Sequence, residues 1–418
     1  MKRLLIFVFL LPIICTSQYT AIPDQNFEQA LIDLGHDDVI DGQVSTSNID
    51  AITYLYVDNR NISDLTGIED FTALTYLNCV YNQIASLDVS NNTALDTLNC
   101  GYNQLTSLNV SQNTALTVLA CYENQLTSLD VSQNTALNYL NCRYNQLTSI
   151  DVSQNTALTY FNCGYNQLTS LDVSQNTALT ELYCYENQLT SLDVSQNTAL
   201  TEMDCYENQL TSLDLSQNTA LTYLNCGYNQ LTSLDVSQNT ALTELYFYDN
   251  QLISLDVSNN PLLERLDTED NQLECLNLKN GNNAILIELW TEGNSNLECI
   301  LADDSIYSNT NWISNPDFYL DSNQYFSPNC NYPAGCFTNN IEEYQSNLSI
   351  YPNPTENLIQ IEIQNHNGNF EAALYDFTGK LLETSNKTAI SLADYPRGIY
   401  LLKVSYGDRM EEVKVVKE

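Results

Sequence analysis

A mainly β solenoid of short strands, closed by a helical N-terminal cap and followed by a small C-terminal β-sandwich, is the fold this sequence predicts. Three observations predict it. A 21-residue unit recurs ten times from Leu74 to about Ala284, as in LTVLACYENQLTSLDVSQNTA at Leu116 to Ala136. Within each unit apolar residues alternate with polar ones over a few positions, the period of a strand. Beyond about Leu348 the repeats stop, bases appear and several short alternating stretches follow. A fixed period of this size marks a stack of units that bury their apolar side only against each other, so function is sought on the faces of the stack.

In chain order, Lys2 and Arg3 precede an apolar run from Leu4 to Cys15 and then Thr16 and Ser17. That order is a secretory signal over 1–17, with the mature chain starting near Gln18; the run is too short to span a bilayer. Lipidation of Cys15 is the lesser reading, since Ile13 and Ile14 stand where small residues are wanted. No other stretch reads as a transmembrane segment. Residues 18–51 form the N-terminal cap, in which Asp24 starts a helix with Phe27, Leu31 and Leu34 on one face and Gly35 at its end.

The repeats occupy 52–296. Each reads L-x-x-L-x-C-x-x-N-Q-L-T-S-L-D-V-S-Q-N-T-A with small changes, two half-units of one logic. Leu-x-Cys and Leu-x-Val each predict a short strand with its apolar members inward, giving two strands and two Asn corners per coil. The motif L-x-x-L-x-L-x-x-N resembles the leucine-rich repeat family, in its bacterial form with two half-repeats per turn. The resemblance covers about 52 to 300, and Cys or Val in place of the usual Leu implies slim coils. About twelve coils at ~4.8 Å per strand make a stack of roughly 55 Å. Both ends need lids, and 297–337, with Cys299, Trp312, Phe318, Tyr325, Phe326, Cys330 and Cys336, reads as the distal one. A disulfide between Cys299 and Cys330 is expected there, with Cys336 or Cys275 as rival partners.

A linker, 338–347, leads to 348–418. Ile359, Ile361 and Ile363 alternate, as do Leu402 and Val404, then Val413 and Val415, with turn signals at Thr378-Gly379 and Gly407-Asp408. Four phrases, Tyr351-Pro352-Asn353-Pro354, Asp376 to Lys380 ending in Gly379-Lys380, Pro396-Arg397-Gly398-Ile399-Tyr400 and Lys414-Val415-Val416-Lys417-Glu418, resemble in order the sorting domain of the type IX secretion system. The resemblance implies export across a Bacteroidetes-type outer membrane, cleavage near 338–347, and attachment or release by the secretion and surface-attachment machinery. Pro352, Asn353, Pro354, Gly379, Lys380, Arg397, Gly398, Tyr400, Lys403, Lys414 and Lys417 are the residues it assigns to sorting.

Charge narrows the partners. Residues 19 to 339 hold 40 acids and four bases, so almost all of the net charge of −39 lies there. Such a surface repels phosphate backbones, which excludes nucleic acid, and attracts cations or basic partners. The cysteine column from Cys79 to Cys226 alternates with leucine and is replaced by Phe247 and Thr268 in later coils, so it reads as a buried, reduced row. The column Asp88, Asp130, Asp151, Asp172, Asp193, Asp214, Asp235 and Asp256 is a solvated face, with weak calcium binding the alternative. No cofactor and no dedicated metal site are expected, and the two histidines, His36 and His366, pair with no nucleophile motif, so no enzyme is expected.

The informative variation lies around Leu-x-Cys. Before the leucine stand Tyr139, Tyr160, Glu181, Glu202 and Glu244; after the cysteine stand Tyr122, Tyr185, Tyr206 and Tyr248. Rings beside acids suit a protein or glycan ligand, and these nine residues are the expected ligand-binding face. The first expectation is a secreted, surface-displayed protein for protein–protein interaction or adhesion. Its rivals are a structural acidic coat and a glycan-binding module built on the tyrosines.

Overall fold

The computed structural model describes residues 18–313, 315–333, 336–337, 348–363, 370–376, 380–406 and 409–418. The signal segment 1–17, the linker 338–347, Gly379 and the two turn signals of the C-terminal domain lie outside the described residues. The chain divides into two compact units, Met1–Phe337 and Thr338–Glu418.

In the first unit one parallel sheet of 13 strands runs from Tyr54–Tyr56 to Phe318–Tyr319, one strand per coil. Leucine stands opposite leucine along it, as Leu98 does to Leu119 and Leu119 to Leu140. Within each Leu-x-Cys the outer members point inward and are fully buried, Leu98 and Cys100 among them. The middle residue faces out, so the pleat turns sequence alternation into an inside and an outside.

Two strands per coil are not realised throughout. The Leu-x-Val half makes only isolated bridges at Asp88, Asn109 and Asp130, and becomes strand at Ser254–Asp256, Cys275–Asn277, Cys299–Leu301 and Tyr325–Ser327. In the uniform coils the Asp carboxylate bends the backbone back on itself, accepting from the N–H two residues on (Ser195 N to Asp193 Oδ1, 2.9 Å). Such local bonds compete with a ladder. Where the four strands do form, two disulfides and Tyr332 tie the coils: its hydroxyl donates to Leu276 O at 2.7 Å and accepts from Leu301 N at 3.2 Å.

Two asparagine ladders hold the corners. In the first, Asn187 donates to Cys163 O of the coil before and Cys184 O of its own, both at 3.1 Å, while its Oδ1 accepts from Leu168 N at 3.0 Å. In the second, Asn197 donates to Val173 O at 3.0 Å and Asn176 O at 2.9 Å. An amide has donors and an acceptor on a short stem, which satisfies buried turn backbone. The second ladder is deeper, and its Oδ1 atoms, from Asn92 to Asn260, have no partner; we have no physical account of that row. The eight column cysteines are all buried thiols, and burial pushes Cys79 and Cys121 up to about 12, so the row is chemically inert.

The N-terminal lid contains a helix, Gln25–Asp33, capped by Asp24, which accepts from Asn26 N and Phe27 N. Its buried stripe is Phe27, Ala30 and Leu31, whereas Leu34 is exposed, contrary to expectation. The helix stops one residue before Leu34, and Gly35 in the left-handed region turns the chain away there. Phe27 stacks on Phe71, which seals the first coil. Glu28, fully buried, accepts through Oε1 from Asp41 N at 2.8 Å and Gly42 N at 2.6 Å, fixing the loop that follows the helix.

At the distal end both sheets continue past the expected boundary at 296. The 21-residue spacing is lost before that, since Leu266 pairs with Leu289 and Leu276 with Ile300, and a helix, Ser305–Asn311, lengthens the next coil further, which hid the last strands from sequence. Trp312, Phe318 and Phe326 pack together as the lid, while Tyr325 is exposed. Cys299 is bonded to Cys330 and Cys275 to Cys336, each with Cα atoms 5.8 Å apart.

The second unit has a three-stranded sheet (Leu348–Tyr351, Leu358–Ile363, Ala389–Ser391) and a four-stranded one (Phe370–Asp376, Leu381–Ser385, Gly398–Tyr406, Arg409–Lys417). Ile359, Ile361, Leu374, Leu402, Val404 and Val415 share one core between them, a sandwich. The sorting phrases are stitched to each other: Asn353 donates to Lys414 O at 2.6 Å and accepts from Val416 N at 2.9 Å. Lys417 is buried with its ammonium on the carbonyls of Leu392, Ala393 and Tyr395, and Tyr400 donates to Pro396 O. Lys403 lies over the Tyr375 ring, and Lys380 N donates to Asp376 Oδ1. Pro352, Pro354, Arg397 and Lys414 are exposed.

Candidate binding face

All nine residues of the expected ligand face lie on the outward side of the 13-stranded sheet and are half-buried. Tyr139 and Tyr160, directly opposite in register, stack at 4.3 Å. Glu181 and Glu202 both accept from the hydroxyl of Tyr183, at 3.0 and 2.5 Å, and Glu244 accepts from Tyr246 at 2.8 Å. Glu181 and Glu244 are therefore fixed by phenols two residues further along the strand, and Glu202 by the phenol of the preceding coil.

Tyr122, Tyr185 and Tyr248 do not stand up from the face. Each leans back over the glycine of the preceding coil, so that a Cβ on Gly101, Gly164 or Gly227 would meet the ring at 2.7, 2.6 and 2.8 Å. Glycine is required there by close approach. Tyr206 meets Tyr228 edge-on at 5.5 Å and Tyr248 at 5.9 Å, a three-ring cluster.

Sequence reasoning missed two further columns. One is the position between leucine and cysteine, carrying Tyr183, Asp204, Tyr246, Asp267 and Trp290. The other follows the Gly/Tyr column and carries Tyr102, Tyr144, Tyr165 and Tyr228 interspersed with Glu123, Glu186, Glu207, Asp249 and Asp270. All of this second column sits in the left-handed region, φ 49 to 54°. The signal was present: only Tyr, Glu or Asp precedes the corner Asn in the regular coils. Its geometry was not legible, because a left-handed non-glycine residue has no propensity signature.

The second columns build a concave site at the distal part of the face, a cavity of about 470 Å³. Tyr228, Tyr246, Tyr248 and Trp290 wall it and Asp249, Asp267, Glu269 and Asp270 supply carboxylates. Burial pushes Asp267 up to about 6, and burial with Asp267, Glu292, Asp270 and Asp249 nearby pushes Glu269 up to about 7. Asp204, three coils earlier in the same column as Asp267, is likewise raised by burial to about 6. Negative charge is thus crowded here beyond what water can relieve.

The Asp column on the other half-unit differs. Its exposed carboxylates accept from the N–H of the serine two on, and in Asp172 and Asp193 that bond, with the serine hydroxyl, lowers the pKa. Asn109 makes the same bond to Ser111 at 3.0 Å, so the column is turn chemistry. Among the described residues no three His, Cys, Asp or Glu side chains stand as a metal-holding group, and no helix is long and apolar enough to cross a membrane.

Comparison with known proteins agrees with this architecture. Residues 349–418 match the family of secretion system C-terminal sorting domains. The solved functional domain of InlJ from Listeria monocytogenes, described as including a cysteine ladder, is 30% identical with a TM-score of 0.65, covering 96% of this chain and 99% of that one. The curated Internalin J of that species, serotype 4b strain F2365, is 45% identical over 70 residues, 17% of this chain and only 8% of its own length. An internalin, InlF, of the same strain shares the fold at 24% identity and a TM-score of 0.56, covering 68% of this chain and 96% of that one. The sorting domain directs export by the type IX system to the cell surface or the extracellular space. The chain belongs to the bacterial leucine-rich repeat proteins represented by the InlJ domain, here joined to a type IX sorting domain.

Proposed function

We propose that this is a surface-displayed adhesion protein, without enzymatic activity, that binds a protein partner through the outward face of its 13-stranded sheet. One observation carries the reading. The inward and corner positions are nearly invariant from coil to coil, whereas the outward positions of this one face change residue type and concentrate tyrosine with acid. A stack needs the former to stand; it does not need the latter. Aromatic rings held by phenol–carboxylate bonds give large contact area with little side-chain entropy to lose, which suits protein recognition.

The test is a binding screen of the purified full chain against immobilised cell-surface proteins and, in parallel, against glycans. A protein ligand whose binding is lost with Tyr185→Ala and Tyr206→Ala together supports the reading. Binding confined to glycans and competed by soluble sugars replaces it with the carbohydrate alternative, and no face-dependent binding at all leaves the acidic coat.

A further inference from the structure

The outward face repeats every three coils. Gly101, Tyr122 and Arg143 are followed by Gly164, Tyr185 and Tyr206, then by Gly227, Tyr248 and Glu269. The geometry repeats with the sequence. Tyr122, Tyr185 and Tyr248 each meet a left-handed tyrosine of the previous coil edge-on, at 5.4, 5.5 and 5.5 Å. What differs between copies is the third member.

In the first copy the chain fills its own site. The Arg143 guanidinium lies 5.6 Å from the ring centres of both Tyr122 and Tyr144, a cation between two π faces. In the third copy the corresponding positions are Glu269 and Asp270, and here the face opens into the 470 Å³ cavity. The ring equivalent to the one Arg143 covers is still present as Tyr248, but carboxylates replace the cation. The other arginine of the face, Arg265, is engaged by Glu244 at 2.7 Å and Glu288 at 3.2 Å, and is not among the cavity's walls.

We infer that the third-copy cavity is the anchor pocket of the binding face and takes an arginine or lysine side chain of the protein partner, over Tyr248 and against Glu269 and Asp270, as Arg143 is held in the first copy. This deepens the proposed function and rests on it for the partner's being a protein. The ligand chemistry is that of a guanidinium or ammonium: π faces attract it, the carboxylates pair with it, and a bound cation relieves their mutual repulsion. A neutral sugar offers the carboxylates no such relief. The second copy, with Tyr206 in the third place and Glu207 beside it, is intermediate.

The test uses the full chain and a simple probe, N-acetyl-arginine methylamide, against its neutral citrulline counterpart at physiological salt. Tryptophan fluorescence reports the pocket, since Trp290 lines it while Trp312 is buried in the lid. The arginine probe is expected to bind at least fivefold more tightly than citrulline, and Tyr248→Ala to weaken it at least tenfold. Glu269→Arg is the second variant, needed if Tyr248→Ala does not fold: it places an arginine beside Tyr248, as Arg143 stands beside Tyr122, and against Asp270, so it should melt no lower than the parent and abolish the response. Asp193→Asn, which removes one negative charge on the other half of the coil, should leave it unchanged. Lowering the pH from 8 to 5 should weaken the probe as Glu269 and Asp267, which face Asp249, Asp270 and Glu292, take up protons.

Equal binding of both probes, or an equal loss with Asp193→Asn, would overturn the pocket. So would undiminished arginine binding by Glu269→Arg. If the pocket holds the probe but the screen yields no protein ligand, the pocket stands and the adhesion reading falls. If a protein ligand binds the face yet ignores Glu269→Arg, the reverse holds.

Discussion

The two halves of each coil are built from the same motif yet have gone different ways. The Leu-Thr-Ser-Leu-Asp-Val-Ser half barely changes: its Asp closes a turn within the coil, and the Asn that follows ties it to the coil before. The Leu-x-Cys half pairs strand to strand; Asn and Asp between the leucine and the cysteine still accept from the N–H two residues on, as Asn162 and Asp204 do, but the rings and acids before the leucine and the rings after the cysteine are not used to cap backbone. A position whose side chain caps a turn cannot vary without cost, whereas one on a sheet face can vary with its neighbours. The solenoid thus separates stability from recognition by side, and the following predictions test that separation.

The largest effect belongs to the corners. Asn197→Ala removes one of two donors from each of the buried carbonyls of Val173 and Asn176, which keep the N–H bonds of Asn176 and Leu179, so two hydrogen bonds are lost at about 0.5–1.5 kcal/mol each. We expect a loss of roughly 1–3 kcal/mol in urea unfolding. A change below half a kcal/mol would show that the ladder is not what holds the coils.

Next comes the close approach on the face. Gly164→Ala places a methyl within 2.6 Å of the Tyr185 ring, which must swing out. A cost of about 1–3 kcal/mol is expected, together with an altered tyrosine near-ultraviolet signal. An unchanged signal would mean that the ring does not lie over the glycine.

Asp267 gives the face a pH dependence of opposite sign to that of the turns. Its folded pKa, about 6, lies above the ordinary 3.8, so the folded state binds the extra proton between those values and stability falls as pH rises through them. The difference corresponds to roughly 2–3 kcal/mol. Asp193 is the reverse: its lowered pKa adds stability above the ordinary carboxylate range that is lost as pH falls through the folded value. Asp267→Asn should therefore flatten the decline in melting temperature between pH 4 and 6, and a parallel curve would contradict the burial argument.

The smallest effect is on the Asp column. Asp193→Asn keeps the bond to Ser195 N, as Asn109 does naturally, and should leave the urea midpoint at pH 7 unchanged. Asp193→Ala loses that bond and should lower the midpoint slightly.

Much of this was legible from residues alone because periodicity states it directly. The inward leucines, the buried cysteine row and the Asn corners follow from alternation and from what an amide can satisfy. The candidate face was legible as variation, and its nine residues do share one surface. Three things were not. The cavity needs the left-handed column, whose direction no propensity encodes. The Gly–Tyr pairing joins residues of successive coils, so it is visible only once register is known. The last strands escaped because the coils lengthen from Leu266 to Leu289 and from Leu276 to Ile300, and again at the helix Ser305–Asn311, so the period that revealed the others is lost.

The separation of sides is tested most directly by one paired measurement on the full chain. Its affinity for a protein ligand from the screen is compared after Tyr185→Ala, Tyr206→Ala and Tyr248→Ala together, and after Asp172→Asn, Asp193→Asn and Asp214→Asn together. The tyrosine triple should lose at least tenfold while remaining folded, and the aspartate triple should bind like the parent. Loss with the aspartates and retention without the tyrosines would place recognition on the wrong side of the coil and contradict the account.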